Sequence, residues 1–117
     1  MLKGSCHCGA VTFILNAVPE HLTACNCSVC RRIGALWAHD SIEKFEIQSS
    51  GETSTYIWGD KSLAFHSCKN CGCTTHWANL DPGGDVMAVN CRMVDPEDVV
   101  SIPVKQFDGA DSWEYLD

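Results

Sequence analysis

Short runs of alternating apolar and polar residues recur along the chain, divided by clusters of Gly, Pro, Asn, Asp and Ser. A period of two places every second side chain on one face of an extended strand. The runs predict strands over residues 10–15, 22–25, 35–39, 45–48, 53–58, 62–66, 74–78, 86–91 and 104–107. In residues 53–58 the alternation sets Tyr56 and Trp58 on a common face. Turn signals separate the runs, among them Asn16 to Pro19, Asp81-Pro82-Gly83-Gly84 and Asp108-Gly109. No window keeps a 3.6-residue apolar period over three turns, so helix is confined to short turns at residues 28–33 and 96–99. The pattern predicts a mainly β fold with little helix. Its short strands form antiparallel sheets packed as a sandwich or open barrel. No repeat or linker interrupts the pattern, and residues 1–117 read as a single domain.

Composition narrows the function. Hydrophobic residues make up 45% and charged residues 20%, the balance of a globular protein in water. No run approaches the ~20 apolar residues of a membrane helix. The first ten residues, MLKGSCHCGA, lack the apolar core of a secretory signal, so the expected location is cytoplasmic. The formal charge is −7, and Arg31-Arg32 is the only adjacent basic pair. Such a chain repels phosphate backbones, which argues against nucleic acid as a partner.

Nine cysteines change the picture most. An odd count in a reducing compartment argues against a disulfide framework. The spacings Cys6-x-Cys8, Cys25-x-Cys27-x-x-Cys30 and Cys68-x-x-Cys71 argue for metal, because close neighbours on a tight turn can aim two sulfurs at one point. Cys6, Cys8, Cys68 and Cys71 together would complete a closed structural zinc shell. That shell would clip the N-terminal segment to a distant one and reinforce a modest core. The other reading of these pairs is buried or redox-active thiols. Cys25, Cys27 and Cys30 supply three thiolates and leave a position open, the arrangement of a catalytic zinc. Here the competing reading is a second structural site, closed by Cys73, Cys91, His66 or His76. Arg31 or Arg32 would neutralise the thiolates or bind a substrate carboxylate.

The segments Gly4-Ser5-Cys6-His7-Cys8-Gly9-Ala10-Val11, Cys25-Asn26-Cys27-Ser28-Val29-Cys30-Arg31-Arg32 and His66-Ser67-Cys68-Lys69-Asn70-Cys71-Gly72-Cys73 occur in this order. Together they resemble the glutathione-dependent formaldehyde-activating enzyme and centromere protein V family. Trp77, Asn90, Arg92, Phe107-Asp108-Gly109 and Trp113 extend the likeness over nearly the whole chain. The resemblance implies a β-tent fold, with sheets leaning together and joined by a four-cysteine zinc at Cys6, Cys8, Cys68 and Cys71. It implies a second, labile and catalytic zinc on Cys25, Cys27 and Cys30. It also implies carbon–sulfur lyase chemistry on adducts of a small thiol such as glutathione with an aldehyde such as formaldehyde. The alternative function is a non-catalytic zinc module that binds a protein partner or senses zinc. A thiol redox protein ranks last, because no βαβ pattern surrounds Cys68-x-x-Cys71.

The remaining polar and aromatic residues carry weaker signals. His39, His66 and His76 read more readily as packed, hydrogen-bonded side chains than as proton carriers. Trp37, Trp58, Trp77 and Trp113 read mainly as core residues, with a pocket around the open zinc as the other use. Asn90 and Arg92 share a face if their strand is regular, and Arg92 then binds a carboxylate or pairs with Asp95 or Glu97. The acidic segment 108–117 reads as solvated surface. Oligomeric state, and the roles of Cys73 and Cys91, stay open at this level.

Overall fold

The computed structural model describes all 117 residues. The chain folds into ten strands in two sheets, with two single-turn helices and two short 3-10 turns. The smaller sheet has the order β1-β2-β5, with β1 at Leu2–Ser5, β2 at Val11–Leu15 and β5 at Phe45–Ser49. The larger sheet has the order β10-β3-β4-β9-β8-β7-β6. Its strands are β3 at Leu22–Cys25, β4 at Trp37–Ser41, β6 at Thr53–Tyr56, β7 at Leu63–Cys68, β8 at Thr74–Asn79, β9 at Val86–Asn90 and β10 at Val104–Phe107. The mainly β reading therefore holds. The two sheets pack on a common core, as the resemblance implied.

Strand β2 shows how pattern becomes packing. Val11, Phe13 and Leu15 are buried, while Thr12 and Ile14 between them are half-covered. Phe13 and Leu15 meet Leu2 of the same sheet and Leu22, Ala38 and Val89 of the other. This apolar cluster is the joint between the sheets. Phe13 lies opposite Gly4 across the β1–β2 pair. A Cβ on Gly4 would run into the Phe13 ring, so Gly4 admits an aromatic rather than turning the chain. The sharp turn nearby belongs to Gly9, whose φ of 85° is left-handed.

Three differences from expectation have physical causes. Strand β1 was not expected, because Leu2-Lys3-Gly4-Ser5 holds one large apolar side chain; its pairing with β2 forms it. The sheets are not wholly antiparallel, since β10 runs parallel to β3, with Val104 opposite Leu22 and Phe107 opposite Cys25. A parallel partner distant in sequence leaves no local turn signal. The strand read over 86–91 ends at Asn90, and Cys91–Met93 is a 3-10 turn, so Asn90 and Arg92 do not share a strand face. The two short helices fall where expected. Helix α1 spans Cys30–Ile33 and stops at Gly34, whose φ is 72°. Helix α2 spans Pro96–Val99, with Asp95 accepting a hydrogen bond from the Glu97 amide as its N-cap. No helix is long and apolar enough to cross a membrane.

Candidate functional site

The first cysteine cluster is built by two turns. After β1 the chain reverses through Cys6 to Val11, closed by Cys6 N–H donating to the Val11 carbonyl at 2.9 Å and Gly9 N–H donating to the Cys6 carbonyl at 3.1 Å. Strand β7 ends at Cys68, where Gly72 N–H donates to the Cys68 carbonyl at 2.9 Å. Gly72 has a φ of 81°, which a side chain would disfavour. The turns bring Sγ of Cys6, Cys8, Cys68 and Cys71 within 4.8 Å of one another. Cys6 and Cys8 lie 3.7 Å apart, and Cys8 and Cys68 lie 3.6 Å apart. These are open thiol separations rather than disulfides. A tetrahedron of sulfurs about ~2.3 Å from a zinc ion has edges of about 3.8 Å, so the set fits a thiophilic metal.

Amide donors point at these sulfurs. The Cys73 and Cys8 amides lower the Cys71 pKa to about 5. The Asn70 side chain and the Ala10 amide lower that of Cys8. The Val11 amide donates to Cys6 Sγ at 3.3 Å. Thiolates, which are the metal-binding form, suit this frame.

The second cluster is local. Cys25 ends β3, Cys27 lies in the turn that follows, and Cys30 opens α1. Their three sulfurs also lie within 4.8 Å of one another, and no histidine, carboxylate or further cysteine joins the group. The Cys30 amide donates to Cys27 Sγ at 3.4 Å, the Cys27 amide faces Cys25 Sγ at 3.5 Å, and the Trp37 indole N–H donates to Cys30 Sγ at 3.4 Å. Without an ion, the Cys30 thiol is a hydrogen-bonding neighbour of Cys25. That bond, with help from the Cys27 and Gly109 amides, lowers the Cys25 pKa to about 5. The same bond, with burial, raises that of Cys30. Three sulfurs at this spacing, supplied with amide and indole donors, could hold a metal and leave one coordination position to another ligand.

All three cysteines line a pocket of about 530 Å³. Trp37, Phe65 and Trp77 belong to the buried cluster that includes Cys30 and underlies the pocket. Trp58, Phe107, Trp113 and Tyr115 complete its aromatic lining. All four tryptophans therefore line it. His39 does too, with its ring edge-on to Trp77 at 5.6 Å. Burial by the surrounding protein lowers the His39 pKa, even though its side chain opens to solvent inside the pocket.

The acidic segment is exposed from Ala110 to Asp117, as its sequence suggested, yet Gly109, Trp113 and Tyr115 also line this pocket. Parallel pairing carries Phe107 alongside Cys25. Residues 108–117 then fold back, with Trp113 N–H donating to the Asp108 carbonyl at 2.8 Å and Leu116 N–H to the Gln106 carbonyl at 2.9 Å. Asn26, inside the cysteine turn, holds the segment from both sides. Its amide donates to Asp108 at 3.0 Å, and its oxygen accepts from Ala110 N–H at 3.0 Å. The Tyr115 hydroxyl bonds Thr23 Oγ1 at 2.9 Å. Gly109 sits so close that a Cβ there would lie 2.5 Å from Cys25 Sγ. Trp113 adopts a φ of 60°, uncommon for a bulky residue, and packs edge-on against Phe107 at 5.1 Å.

Other expected roles move elsewhere. Arg31 and Arg32 do not line the pocket, and Arg32 Nη1 donates to the Ser28 carbonyl of its own turn at 2.7 Å. Arg92 Nε donates to the Gly34 carbonyl at 3.1 Å, capping the end of α1 instead of meeting Asp95 or Glu97. Asn90 is buried and makes three bonds. Its oxygen accepts from the Leu36 and Arg92 amides at 3.2 and 3.1 Å, and its amide donates to the Thr74 carbonyl at 2.9 Å. Cys91 is buried in the joint between the sheets, and burial pushes its thiol up to about 12. Cys73 packs beside the four-cysteine cluster without entering it. His66 and His76 stack at 4.5 Å on another cavity and join neither cluster. Sequence reasoning undervalued His39 and passed over Asp60 and Tyr115, all on the pocket lining. The β alternation around His39 was the available signal for a side chain on the open face.

Comparison with known proteins agrees with this arrangement. A crystal structure of a Rhodobacter sphaeroides protein is similar to the chain, with 28% identity and a TM-score of 0.71 over 88% of this chain and 99% of that one. Residues 1–108 match the family described as glutathione-dependent formaldehyde-activating enzyme. The match takes in both cysteine clusters and the strand that closes on Cys25, and the chain belongs to the glutathione-dependent formaldehyde-activating enzyme family.

Proposed function

We propose that the protein is a zinc-dependent carbon–sulfur lyase acting on adducts of a small thiol with an aldehyde. One observation carries the reading: three cysteines cluster without a fourth protein ligand, and all three line an aromatic pocket. Cys6, Cys8, Cys68 and Cys71 hold a structural zinc, and Cys25, Cys27 and Cys30 hold a second, exchangeable one. A zinc ion held by Cys25, Cys27 and Cys30 would supply positive charge to stabilise a thiolate or polarise a carbonyl.

The chain's own groups do the rest. In the adding direction the thiol sulfur bonds to the aldehyde carbon, the carbonyl pair moves to oxygen, and the thiol proton ends on that oxygen. Lysis reverses each move: the C–S bond breaks, its pair returns to sulfur, and the hydroxyl proton leaves. The aromatic walls exclude water from both partners. The Trp37 N–H and the Cys27 and Cys30 amides hold the cluster's sulfurs in place. His39 is the imidazole on the lining, able to carry the proton. Glutathione and formaldehyde, from the family's name, are the reference pair.

The test loads the protein with zinc and follows exchange between formaldehyde and a panel of thiols by NMR. One tightly held ion, one exchangeable ion and turnover lost in Cys27→Ser are expected. Two tightly held ions and no rate above buffer with any thiol would leave a non-catalytic zinc module.

A further inference from the structure

The proposed lyase site carries a lining that bears directly on which thiol it takes. Of the 18 residues around the pocket, seven are aromatic and none is lysine or arginine. Its one carboxylate is Asp60. Asp60 Oδ1 accepts from the Ser62 amide at 3.1 Å and the Ser62 hydroxyl at 2.8 Å, and neither bond uses its other oxygen. The basic pair that could have supplied a guanidinium, Arg31 and Arg32, does not reach the lining. Three thiolates with one dication add a further negative charge. The chain as a whole is at −7.

A ligand carboxylate entering this pocket would lose water and find no cationic partner, which is costly. An aryl or alkyl body would meet faces and edges of Trp37, Trp58, Phe65 and Trp77, where apolar and aromatic contacts are favourable. An ammonium would gain from the aromatic faces and the free Asp60 oxygen. Trp113, with its left-handed φ of 60°, adds another aromatic side chain to this lining.

We infer that the pocket is built for the adduct of an apolar, aryl- or alkyl-bearing thiol, neutral or with an ammonium at the Asp60 end, and selects against carboxylate-bearing thiols such as glutathione. This ligand class rests on the lyase reading for its chemistry but not for its binding. Binding and turnover are therefore measured separately.

The probes are benzyl methyl thioether, its para-carboxylate and para-aminomethyl derivatives, and S-methylglutathione. None carries a thiol that could strip the metal. Each is titrated into zinc-loaded protein by tryptophan fluorescence. The parent thioether is expected to bind at least about 10-fold more tightly than its para-carboxylate and S-methylglutathione. The para-aminomethyl probe should bind about threefold more tightly than the parent, an advantage that Asp60→Asn removes. Trp58→Ala, outside the regular strands, should weaken the parent about fivefold while leaving the zinc content unchanged. Equal or tighter binding of the carboxylate probes would overturn the ligand class, and so would no detectable binding of the parent. Turnover of the glutathione adduct would then leave the lyase reading standing. The expected binding order, with no turnover of any thiol–formaldehyde adduct, would support the ligand class and end the lyase reading.

Discussion

The two cysteine clusters use one kind of ligand for different ends. In the first, Cys8 and Cys68 meet although they are 60 residues apart in sequence. In the second, three sulfurs come from one turn between β3 and α1. Fixing a long loop removes much freedom from the unfolded chain, so an ion in the first cluster stabilises the whole fold. Fixing a short turn removes little, so an ion in the second would add little to the stability of the fold. Surroundings differ too. In the first cluster Cys6 and Cys68 are buried beside Val11 while Cys8 is exposed, whereas the half-buried to buried triad lines an aromatic pocket. Sequence separation thus separates a joint from a site, even where the side chains are identical.

The sharpest test of this contrast removes one sulfur from each cluster. Cys6→Ser should abolish cooperative melting or lower Tm by roughly 20 °C or more, read by circular dichroism with zinc present. Cys27→Ser should leave Tm within about 5 °C of the parent and cut turnover at least about 100-fold. Equal losses of Tm in the two variants would break the comparison. Between the clusters, Asn90→Ala leaves the Leu36 amide and the Thr74 carbonyl without their partner. It should cost about 2 kcal/mol by urea unfolding.

The smallest effect concerns His76. Burial lowers its pKa to about 4, so it is neutral in the fold near pH 6. The unfolded chain binds that proton near the ordinary value of 6.5, so stability is full above 6.5 and falls as pH drops toward 4. His76→Gln should remove up to about 1.4 kcal/mol per pH unit of that slope, measured by urea unfolding between pH 6.5 and 5. An unchanged slope would mean that the acid sensitivity lies in other groups, such as His39 and His66, whose pKa values burial also lowers.

What could be read from the sequence follows the same division. Cys6, Cys8, Cys25, Cys27, Cys30, Cys68 and Cys71 announced two clusters because spacing within a turn is local information. The strand at Val11–Leu15 was legible for a similar reason, since alternation is carried by neighbours. The pocket was not. Its far wall depends on β10 pairing with β3 across some eighty residues and on Asn26 gripping residues 108 and 110. Acidic residues 108–117 are largely solvated as read, but the backbone and aromatic contacts that also bring Gly109, Trp113 and Tyr115 to the pocket leave no mark on a charge count. Arg31 and Arg32 misled in the opposite way. Their proximity in sequence to Cys30 suggested proximity to substrate, whereas Arg32 folds back onto its own turn.

The parallel seat of β10 on β3 also bears on how the chain can be handled and how it diversifies. Trimming after about residue 103 would strip the pocket wall and leave β3 as a bare strand edge, inviting a neighbouring molecule to pair with it. An affinity tag fused after Asp117, whose side chain accepts from the Gln106 amide, would pull on that strand. A tag before the exposed Met1 would sit at the other end of the chain. The same seat lets terminal residues change the ligand range by substitution, while the four-cysteine joint and the sheets stay as they are.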